Sequence, residues 1–479
     1  MVKYEAVIGL EAHVQLKTAA KIFCGCSTSY GAEPNTQVCP ICLGMPGVLP
    51  KLNKKAVEYA IKMILAVGGT ISPESEFARK NYLYPDLPKG YQISQFEFPL
   101  SKGGAVVIRD ANDIEKKIRL NRIHIEEEAG KSFHDIDDRY SFIDFNRCGT
   151  PLLEIVSEPD MRTSKEASDF LNKIKQIAVY LDISSGNMNE GAFRCDVNVS
   201  VRQSGQKEYG ARREIKNMNS FKFIVKAIDY EIEKQIEIIK SGGCISQQTM
   251  LWDEKAFITK PMRVKEGASD YRYFPEPDLM RLDVSSEWIE EIKDTMPELP
   301  DAKLQRFIGE YKIPAGDAEI LTSSRNLSDY YETVVKISGE PKLSANWIMT
   351  ELMREIKETD ISQIKAAPEN LGGLIKMITT SEISGKIAKD VFAEMIKTGN
   401  TAEAIVEQKG SRQVSDIDKL SAIVEKILVD NKSNVKKYLD GKEALFSFFI
   451  GLVMKGTDGR ANPAMVNRIL KDALNKLRG

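Results

Sequence analysis

The chain has 479 residues, of which 42% are hydrophobic and 28% are charged, and its formal net charge is −2. That length exceeds one ordinary domain, so it predicts two or three domains with ample hydrophobic core. No apolar run approaches the ~20 residues that cross a bilayer, which argues against a membrane role. The first residues lack the features of a signal peptide, so we expect a cytoplasmic protein.

The first predicted element is a strand over residues 6–16. Its even-numbered positions are apolar, and Glu11, His13 and Gln15 share the other face because strand residues alternate between faces. A carboxylate and an imidazole two residues apart point into the same space and suit a divalent cation. A solvated strand face explains the same pattern, so both interpretations stay open at this point.

Four cysteines follow this strand as one C-x-C pair and one C-x-x-C pair: Cys24, Cys26, Cys39 and Cys42. A loop can fold two such pairs into one tetrahedral set of thiolates, which saturates zinc and leaves no position for a substrate. We therefore predict a structural zinc site. Disulfides and free thiols are the alternatives, and the scattered positions of the other cysteines disfavour disulfides.

Two segments, residues 79–91 and 265–277, interleave basic and aromatic side chains. Their prolines and glycines predict loops. Cations among aromatic rings can bind phosphate and stack on a base. The chain has no P-loop and no strand-to-helix G-x-G-x-x-G motif, so any ATP must be bound in another way.

Acidic side chains recur in three further predicted strands. Glu154 lies in an apolar run, where an unpaired carboxylate is costly to bury, so we expect it to meet a cation. Residues 193–202 alternate, with Asp196 on the polar face, and the triplet 126–128 follows His124. An acidic triplet alone is typical of a solvated face. Together with the first strand, however, these residues predict a multi-carboxylate pocket for Mg²⁺ and metal-assisted phosphoryl transfer.

Helix signals mark the organisation of the chain. Asn53, Thr163 and Ser220 are predicted N-caps of early helices. Beyond the segment 297–300, which reads Pro-Glu-Leu-Pro, nearly every pattern is helical, so we place the main boundary there. Residues 430–479 contain ten Lys/Arg against five Asp/Glu, which favours a polyanionic partner, although a solvated helical surface gives the same count.

Four long motifs occur in order along the chain: V-I-G-L-E-A-H-V-Q-L at 7–16, R-K-N-Y-L-Y-P-D-L-P-K-G-Y-Q-I-S-Q at 79–95, G-T-P-L-L-E-I-V-S-E-P-D at 149–160 and D-Y-R-Y-F-P-E-P-D at 270–278. They closely resemble the B subunit of the aspartyl/glutamyl-tRNA amidotransferase, and the resemblance covers essentially the whole chain. Some members of that family carry the cysteine quartet and others lack it, which agrees with a structural zinc.

The resemblance implies an activity. The B subunit of this family uses ATP to phosphorylate the side-chain carboxylate of Glu on tRNA(Gln) or Asp on tRNA(Asn), and ammonia then displaces the phosphate. Mg²⁺ supplies electrostatic stabilisation. The family's metal site maps onto Glu11, His13 and Glu127, with Glu154, Glu190 and Asp196 as further catalytic candidates. The candidates for ATP contacts are Arg79, Lys80, Tyr82, Lys89 and Arg272.

The resemblance also implies an α+β fold and a set of partners. Residues 1–293 would form a cradle like the catalytic domain of glutamine synthetase, 294–405 an all-α helical domain, and 406–479 a small helical tail that binds tRNA. The chain shows no amidase Ser-Lys or Cys-His glutaminase pattern, so another protein must supply ammonia. In the family this is an amidase-type A subunit that hydrolyses glutamine, and a small C subunit joins it to the B subunit in a heterotrimer.

Two rival functions remain at this point. One is a free-standing, glutamine-synthetase-like ligase that acts on a small carboxylate and needs neither the basic tail nor a partner. The other is a non-catalytic, zinc-stabilised tRNA scaffold in which Glu11, His13 and Glu127 form only a solvated strand face.

Overall fold

The computed structural model describes residues 3–110, 112, 114–137, 139–262, 271–356, 361–409, 417–457 and 461–477. Their internal contacts form two units, one ending at Leu299 and the other beginning at Pro300. The first unit mixes strands and helices, and the described part of the second is helical. The predicted α+β class is confirmed.

Among the described residues, the first unit contains the strands and four helices. Its strands are β1 (Tyr4–Gln15), β2 (Thr70–Ile71), β3 (Glu74–Ser75), β4 (Ala78–Asn81), β5 (Tyr91–Ser94), β6 (Ser101–Lys102), β7 (Ala105–Arg109), β8 (Glu115–Glu127), β9 (Lys131–Asp137), β10 (Tyr140–Asp144), β11 (Pro151–Ser157), β12 (Phe193–Gln203), β13 (Arg213–Lys216), β14 (Gln248–Asp253), β15 (Ile258–Pro261), β16 (Phe274–Pro275) and β17 (Leu282–Asp283). Its helices are α1 (Lys54–Ala66), α2 (Ser164–Tyr180), α3 (Phe221–Lys240) and α4 (Ser286–Asp294).

A ten-stranded sheet forms the centre of this unit, in the order β15-β14-β13-β12-β1-β11-β8-β6-β2, with β7 also paired to β8. The strands next to β1 run antiparallel to it. Apolar residues on one face, such as Ile8, Leu10 and Ile155, are fully buried in a core that also contains the apolar sides of α1, α2 and α3. The opposite face is left to the polar residues because side chains alternate along each strand.

A small three-stranded sheet, in the order β16-β4-β5, carries the first cation-rich segment. Strand β5 contacts the end of β8, where the backbone N–H of Ile93 donates to Glu127 over 2.8 Å. The predicted loop at 79–91 thus begins as a strand, and its basic residues are held beside the large sheet.

The predicted N-caps of the early helices are confirmed. Asn53 accepts a hydrogen bond from the backbone of Lys55, Thr163 from Glu166, and Ser220 from Phe223. Such caps satisfy backbone donors that have no partner inside the helix. They fix where α1, α2 and α3 begin beneath the sheet.

The second unit consists of helices. They are α5 (Pro300–Gly309), α6 (Ala315–Leu321), α7 (Arg325–Ser338), α8 (Pro341–Trp347), a π-helix (Ile348–Leu352), α9 (Met353–Ile356), a 3-10 turn (Ile361–Gln363), α10 (Pro368–Thr379), α11 (Gly385–Thr398), α12 (Ala402–Lys409), α13 (Ile417–Asp430), α14 (Lys432–Leu439), α15 (Leu445–Gly456) and α16 (Pro463–Lys476). In the described part of the chain, no helix combines the length and apolar character needed to cross a membrane.

Two apolar clusters fill the second unit, one drawn from residues between Phe307 and Val406 and the other from residues between Leu420 and Leu474. The predicted domain limits at 293 and 405 stay predictions. The boundary between the two units follows Leu299, six residues after the first predicted limit. Val406, which follows the second predicted limit, is fully buried in the first of the two clusters.

Candidate active site and four-cysteine centre

The polar face of the large sheet collects most of the predicted catalytic side chains. Strands β11 and β12 flank β1, while β8 and β13 pair with their outer edges. The cross-strand partners on this face are His13 with Glu154 and Arg194, Glu154 with His124, and Glu11 with Asp196. Residues far apart in the chain therefore meet because the strand registers align them.

One group on this face contains His13, Glu126 and Glu154, whose ligand atoms all lie within 4.8 Å of one another. His13 Nε2 lies 3.5 Å from Glu154 Oε2 and 4.0 Å from Glu126 Oε1. Behind them His124 Nε2 lies 3.5 Å from the same Glu154 oxygen and 3.8 Å from Glu126 Oε2. The hydroxyl of Ser94 donates to Glu126 over 3.1 Å.

The charges of this first group depend on one another because its members are buried. Burial opposes the charge on His124, but Glu154 and Glu126 raise its pKa to about 9. Burial likewise opposes the charge on Glu154, yet His124 and His13 hold its pKa well below the ordinary range. The group is thus arranged as carboxylates that are ionised beside imidazoles.

A second group contains Glu11, Asp196 and Glu214, again with ligand atoms within 4.8 Å of one another. Asn198 donates to Glu11 over 3.1 Å, and Lys216 pairs with both Asp196 and Glu214. Burial, followed by the carboxylates of Glu154 and Asp196, raises the pKa of Glu11. A carboxylate held near others in this way is ready to be stabilised by an added cation.

The acidic triplet at the end of β8 divides between three environments. Glu126 belongs to the first group. Glu127 points away from it, where Lys89 Nζ lies 2.6 Å from its Oε2. Glu128 pairs with Arg194, and Arg147 lies 3.7 Å from the same carboxylate. Strand alternation separates Glu127 from its neighbours, so the structure does not bring it together with Glu11 and His13.

The predicted ATP-contact residues have different surroundings. Arg79 makes two hydrogen bonds to Glu276, at 2.7 and 2.8 Å, and stacks over Tyr91 at 4.2 Å. Lys80 lies over Tyr271, at 5.0 Å from the ring centroid. Burial alone would lower the pKa of Lys80, but the negative charges of Glu126 and Glu154 raise it.

The other three predicted ATP contacts are Tyr82, Lys89 and Arg272. The hydroxyl of Tyr82 donates to Gln92 over 3.1 Å, and Lys89 is paired with Glu127. Arg272 has a positive φ of 43°, and its carbonyl accepts from Asn81. Residues 265–270 of the second cation-rich segment lie outside the described residues.

The four predicted zinc ligands do come together. The sulfur atoms of Cys24, Cys26, Cys39 and Cys42 all lie within 4.8 Å of one another. Hydrogen bonding from Cys24, the backbone N–H of Cys39 and the ammonium of Lys21 lowers the pKa of Cys42 to about 4, against the effect of burial. Four sulfur donors with one already favouring the thiolate fit a tetrahedral zinc ion.

The two polar groups fit a cation that prefers oxygen ligands more strongly than zinc does. Each offers carboxylate oxygens from separate strands, with one imidazole in the first, and these are donors that Mg²⁺ accepts. The geometry favours Glu126 over the predicted Glu127 as a ligand, and the role of Glu127 stays a prediction. Glu190 lies in a turn before β12 and belongs to neither group.

Sequence reasoning missed Glu214 and Lys216, which the structure places in or beside these groups. It included Glu126 and His124 in the acidic segment of the predicted pocket but gave neither an individual role. The alternation of β8 could have separated Glu126 from Glu127, had the strand been extended to its last residue. Glu214 and Lys216 lie in the short strand β13, which pairs with β12. No local sequence pattern predicts this pairing.

Comparisons with known proteins all match one family. A family model described as the GatB/GatE catalytic domain matches residues 6–290, and one described as the GatB domain matches residues 329–474. A protein of Thermodesulfovibrio yellowstonii, named as the B subunit of aspartyl/glutamyl-tRNA(Asn/Gln) amidotransferase, is 54% identical over 98% of both chains. Proteins of the same name from Geotalea uraniireducens and Carboxydothermus hydrogenoformans are 53% and 51% identical, over 99% and 100% of this chain and 100% of each relative.

The chain belongs to the B-subunit family of the aspartyl/glutamyl-tRNA(Asn/Gln) amidotransferases. The resemblance carried by the four sequence motifs is thereby confirmed. The matched catalytic domain spans both polar groups and the four cysteines, so the site belongs to the part of the chain that defines the family. Neither rival function is favoured by these matches.

Proposed function

We propose that this chain is the ATP-dependent catalytic subunit of a tRNA-dependent amidotransferase, which converts Glu on tRNA(Gln) or Asp on tRNA(Asn) to the amide. The observation that carries the proposal is the pair of donor groups side by side on one sheet face. Glu11 and His13 link them, since they lie two residues apart on β1. The names of the relatives support the choice of substrate.

The chemistry explains why ATP is required. A carboxylate accepts ammonia poorly because it would have to expel a hydroxide-like group. Transfer of the γ-phosphoryl group to a side-chain oxygen gives an acyl phosphate and ADP. Ammonia then bonds to the carbonyl carbon, and phosphate leaves with the original carboxylate oxygen, which leaves the amide on the tRNA.

The two groups would each hold one cation. Mg²⁺, when bound, would offset the negative charge of the transferring phosphoryl oxygens. His13, Glu126 and Glu154 would hold one ion, and Glu11, Asp196 and Glu214 the other. The hydrogen bond from Asn198 orients Glu11, and Lys216 orients Asp196 before any ion binds.

Lys80 is our candidate for the contact with the phosphates. Its ammonium lies over the rings of Tyr82 and Tyr271, and the charges of Glu126 and Glu154 raise its pKa. Arg79 has a different role because both of its hydrogen-bonding edges are engaged by Glu276 and Asp278. It holds β4 in the position that presents Lys80.

The remaining parts of the proposal concern partners and setting. Ammonia would come from an amidase-type glutaminase (the A subunit), joined by a small C subunit, and the basic helical tail would contact the tRNA backbone. The four-cysteine loop would carry a structural zinc. The first unit would form a cradle like that of glutamine synthetase, and the enzyme would act in the cytoplasm.

Reconstitution tests this function. The chain is combined with the candidate glutaminase and the small third partner, ATP, Mg²⁺, glutamine and tRNA carrying labelled Glu or Asp, and the released amino acid is identified. We expect the amide only when ATP is present. Asp196→Asn should lower the rate about 100-fold without weakening tRNA binding, because it removes a charged ligand of the cation that would offset the phosphoryl charge.

The matched control is Asp182→Asn, an exposed carboxylate that pairs with Lys17 and belongs to neither donor group. It should behave as the wild type. Full amidation by Asp196→Asn would favour the scaffold, and amidation of free glutamate without tRNA would favour the free-standing ligase. ATP hydrolysis with no amide formed on either aminoacyl-tRNA would contradict the proposal.

A further inference from the structure

Lys21 is the most deeply buried lysine near the site, with none of its surface exposed. Its Nζ lies 3.6 Å from Cys42 Sγ and 3.3 Å from the carbonyl oxygen of Phe145. Among the residues that the structure describes, no carboxylate lies within 4.0 Å of this ammonium. Burying an ammonium without a counter-charge is costly, so a negative charge must lie close by.

The neighbouring sulfur cluster can supply that charge. The backbone N–H of Cys39 donates to Cys42 Sγ over 3.2 Å, a contact that suits a thiolate. Glu127, which lines the same cavity as Lys21, is already paired with Lys89. A divalent ion bound by four thiolates leaves a net charge of minus two, which a single buried cation would partly neutralise.

We propose that Lys21 is the buried counter-charge of a metal-bound four-cysteine centre and sets its affinity for zinc. It acts through the thiolates and is a positioning residue. The inference rests on the proposed structural zinc but is independent of the amidation chemistry. Replacing a partner outside the ligand shell typically changes metal affinity 10- to 100-fold.

The loop around this centre also contacts the site. Gly44, two residues after Cys42, has φ +66°, and a Cβ there would lie 2.2 Å from Lys89 Cγ. A Cβ added at Gly149 would likewise lie 3.6 Å from both Cys42 Cβ and Lys21 Cδ. The loop therefore closes over the side chain that pairs with Glu127. A centre that holds its metal keeps Lys89 in that position.

The test measures metal binding to the full-length chain. Zn²⁺ affinity is determined by chelator competition, and Co²⁺ is used to record the thiolate charge-transfer bands. Lys21→Met should weaken Zn²⁺ binding at least about tenfold while keeping the four-thiolate Co²⁺ spectrum. The exposed Lys51→Met is the matched control and should bind as the wild type does.

A double-mutant cycle separates charge from packing. Cys26→His replaces a thiolate by a neutral ligand and removes one negative charge from the centre. If Lys21 acts as a counter-charge, Lys21→Met should lower the Zn²⁺ affinity of the Cys26→His protein by less than about threefold. An unchanged penalty would mean that Lys21 only fills space, and wild-type affinity in Lys21→Met would overturn the proposal directly. So would the absence of a four-thiolate spectrum in the wild-type chain.

A second measurement covers the case in which Lys21→Met does not fold. The wild-type chain is acylated at lysines with and without prior removal of metal by a chelator, and the sites are mapped by mass spectrometry. We expect Lys21 to be protected with zinc and to react once the thiolates lose their metal. Continued protection in the metal-free, folded chain would overturn the proposal. Neither readout depends on ATP or tRNA, so failure of the amidation proposal would be seen separately.

Discussion

At the scale of single residues, neighbours in the sequence can have unrelated roles. Glu126 lies 4.0 Å from His13, whereas Glu127 pairs with Lys89 and accepts the backbone N–H of Ile93. The family resemblance implied that Glu127 would join Glu11 and His13. The alternation of β8 up to its last residue is the physical reason why Glu126, and not Glu127, lies beside His13.

Substitution of each glutamate separates the two roles. Glu126→Gln should weaken binding of Mn²⁺, used as a probe for Mg²⁺, at least about tenfold because a charged oxygen ligand becomes a neutral amide. Glu127→Gln should leave Mn²⁺ affinity within about twofold and loosen Lys89 instead. Glu115→Gln, at the exposed start of β8, is the control. Equal losses of Mn²⁺ affinity in Glu126→Gln and Glu127→Gln would contradict this assignment.

His124 should make stability depend on pH in the absence of divalent cations. Its folded pKa of about 9 lies above the ordinary value of 6.5, so its contribution is fully present below pH 6.5 and is lost as pH rises through 9. The melting temperature of the wild type should therefore fall across this range more steeply than that of His124→Asn. Parallel melting curves for the two proteins would show that His124 is not charged in the folded state.

At the scale of secondary structure, the periodicity of the sequence predicted which face of a strand a residue lies on, but it did not predict which strands pair. The alternation of β1 and β12 was sufficient to place Glu11, His13 and Asp196 on polar faces, and the caps at Asn53 and Ser220 begin helices as expected. No local pattern showed that β1 lies between β11 and β12, because pairing is decided by long-range packing. The second donor group depends on that pairing and on the four-residue β13.

The four-cysteine loop offers a test at this scale. Gly44→Ala should disturb Lys89, because the added Cβ would lie 2.2 Å from Lys89 Cγ. Gly47→Ala is a matched control, since Gly47 has a similar positive φ of 83° but no atom within 4 Å of the added Cβ. Both variants carry the backbone strain of a positive φ, about 1 kcal/mol. Only Gly44→Ala should raise the acylation rate of Lys89, and equal rates would show that the loop does not hold this side chain.

At the scale of the whole molecule, the two units have separate cores. The sequence predicted the change from mixed to helical structure near residue 300, because Pro297 and Pro300 interrupt the pattern where the helical repeats begin. The proposed limit at 405 is less suitable for a truncation, since Val406 is fully buried within α12. A truncation after Lys409 keeps that helix intact.

The chain that ends at Lys409 should separate tRNA binding from ATP chemistry. It lacks the basic tail, so we expect weaker tRNA binding and a smaller dependence of that binding on salt concentration. Its affinity for Mn²⁺ should stay within about twofold of the wild type because both donor groups lie in the first unit. Unchanged tRNA affinity and salt dependence, measured by filter binding, would contradict a tRNA-binding tail.

An isotope experiment that follows one oxygen atom tests whether the side-chain carboxylate is phosphorylated. The reconstituted enzyme receives ATP, glutamine and tRNA(Gln) charged with glutamate whose side-chain carboxylate carries ¹⁸O, with the matching aspartyl-tRNA(Asn) in parallel. If the polar face directs phosphoryl transfer to that carboxylate, one ¹⁸O per amide formed should appear in inorganic phosphate, and Glu126→Gln should abolish the transfer. Amide formation with unlabelled phosphate would show that the carboxylate is never phosphorylated and would contradict the account.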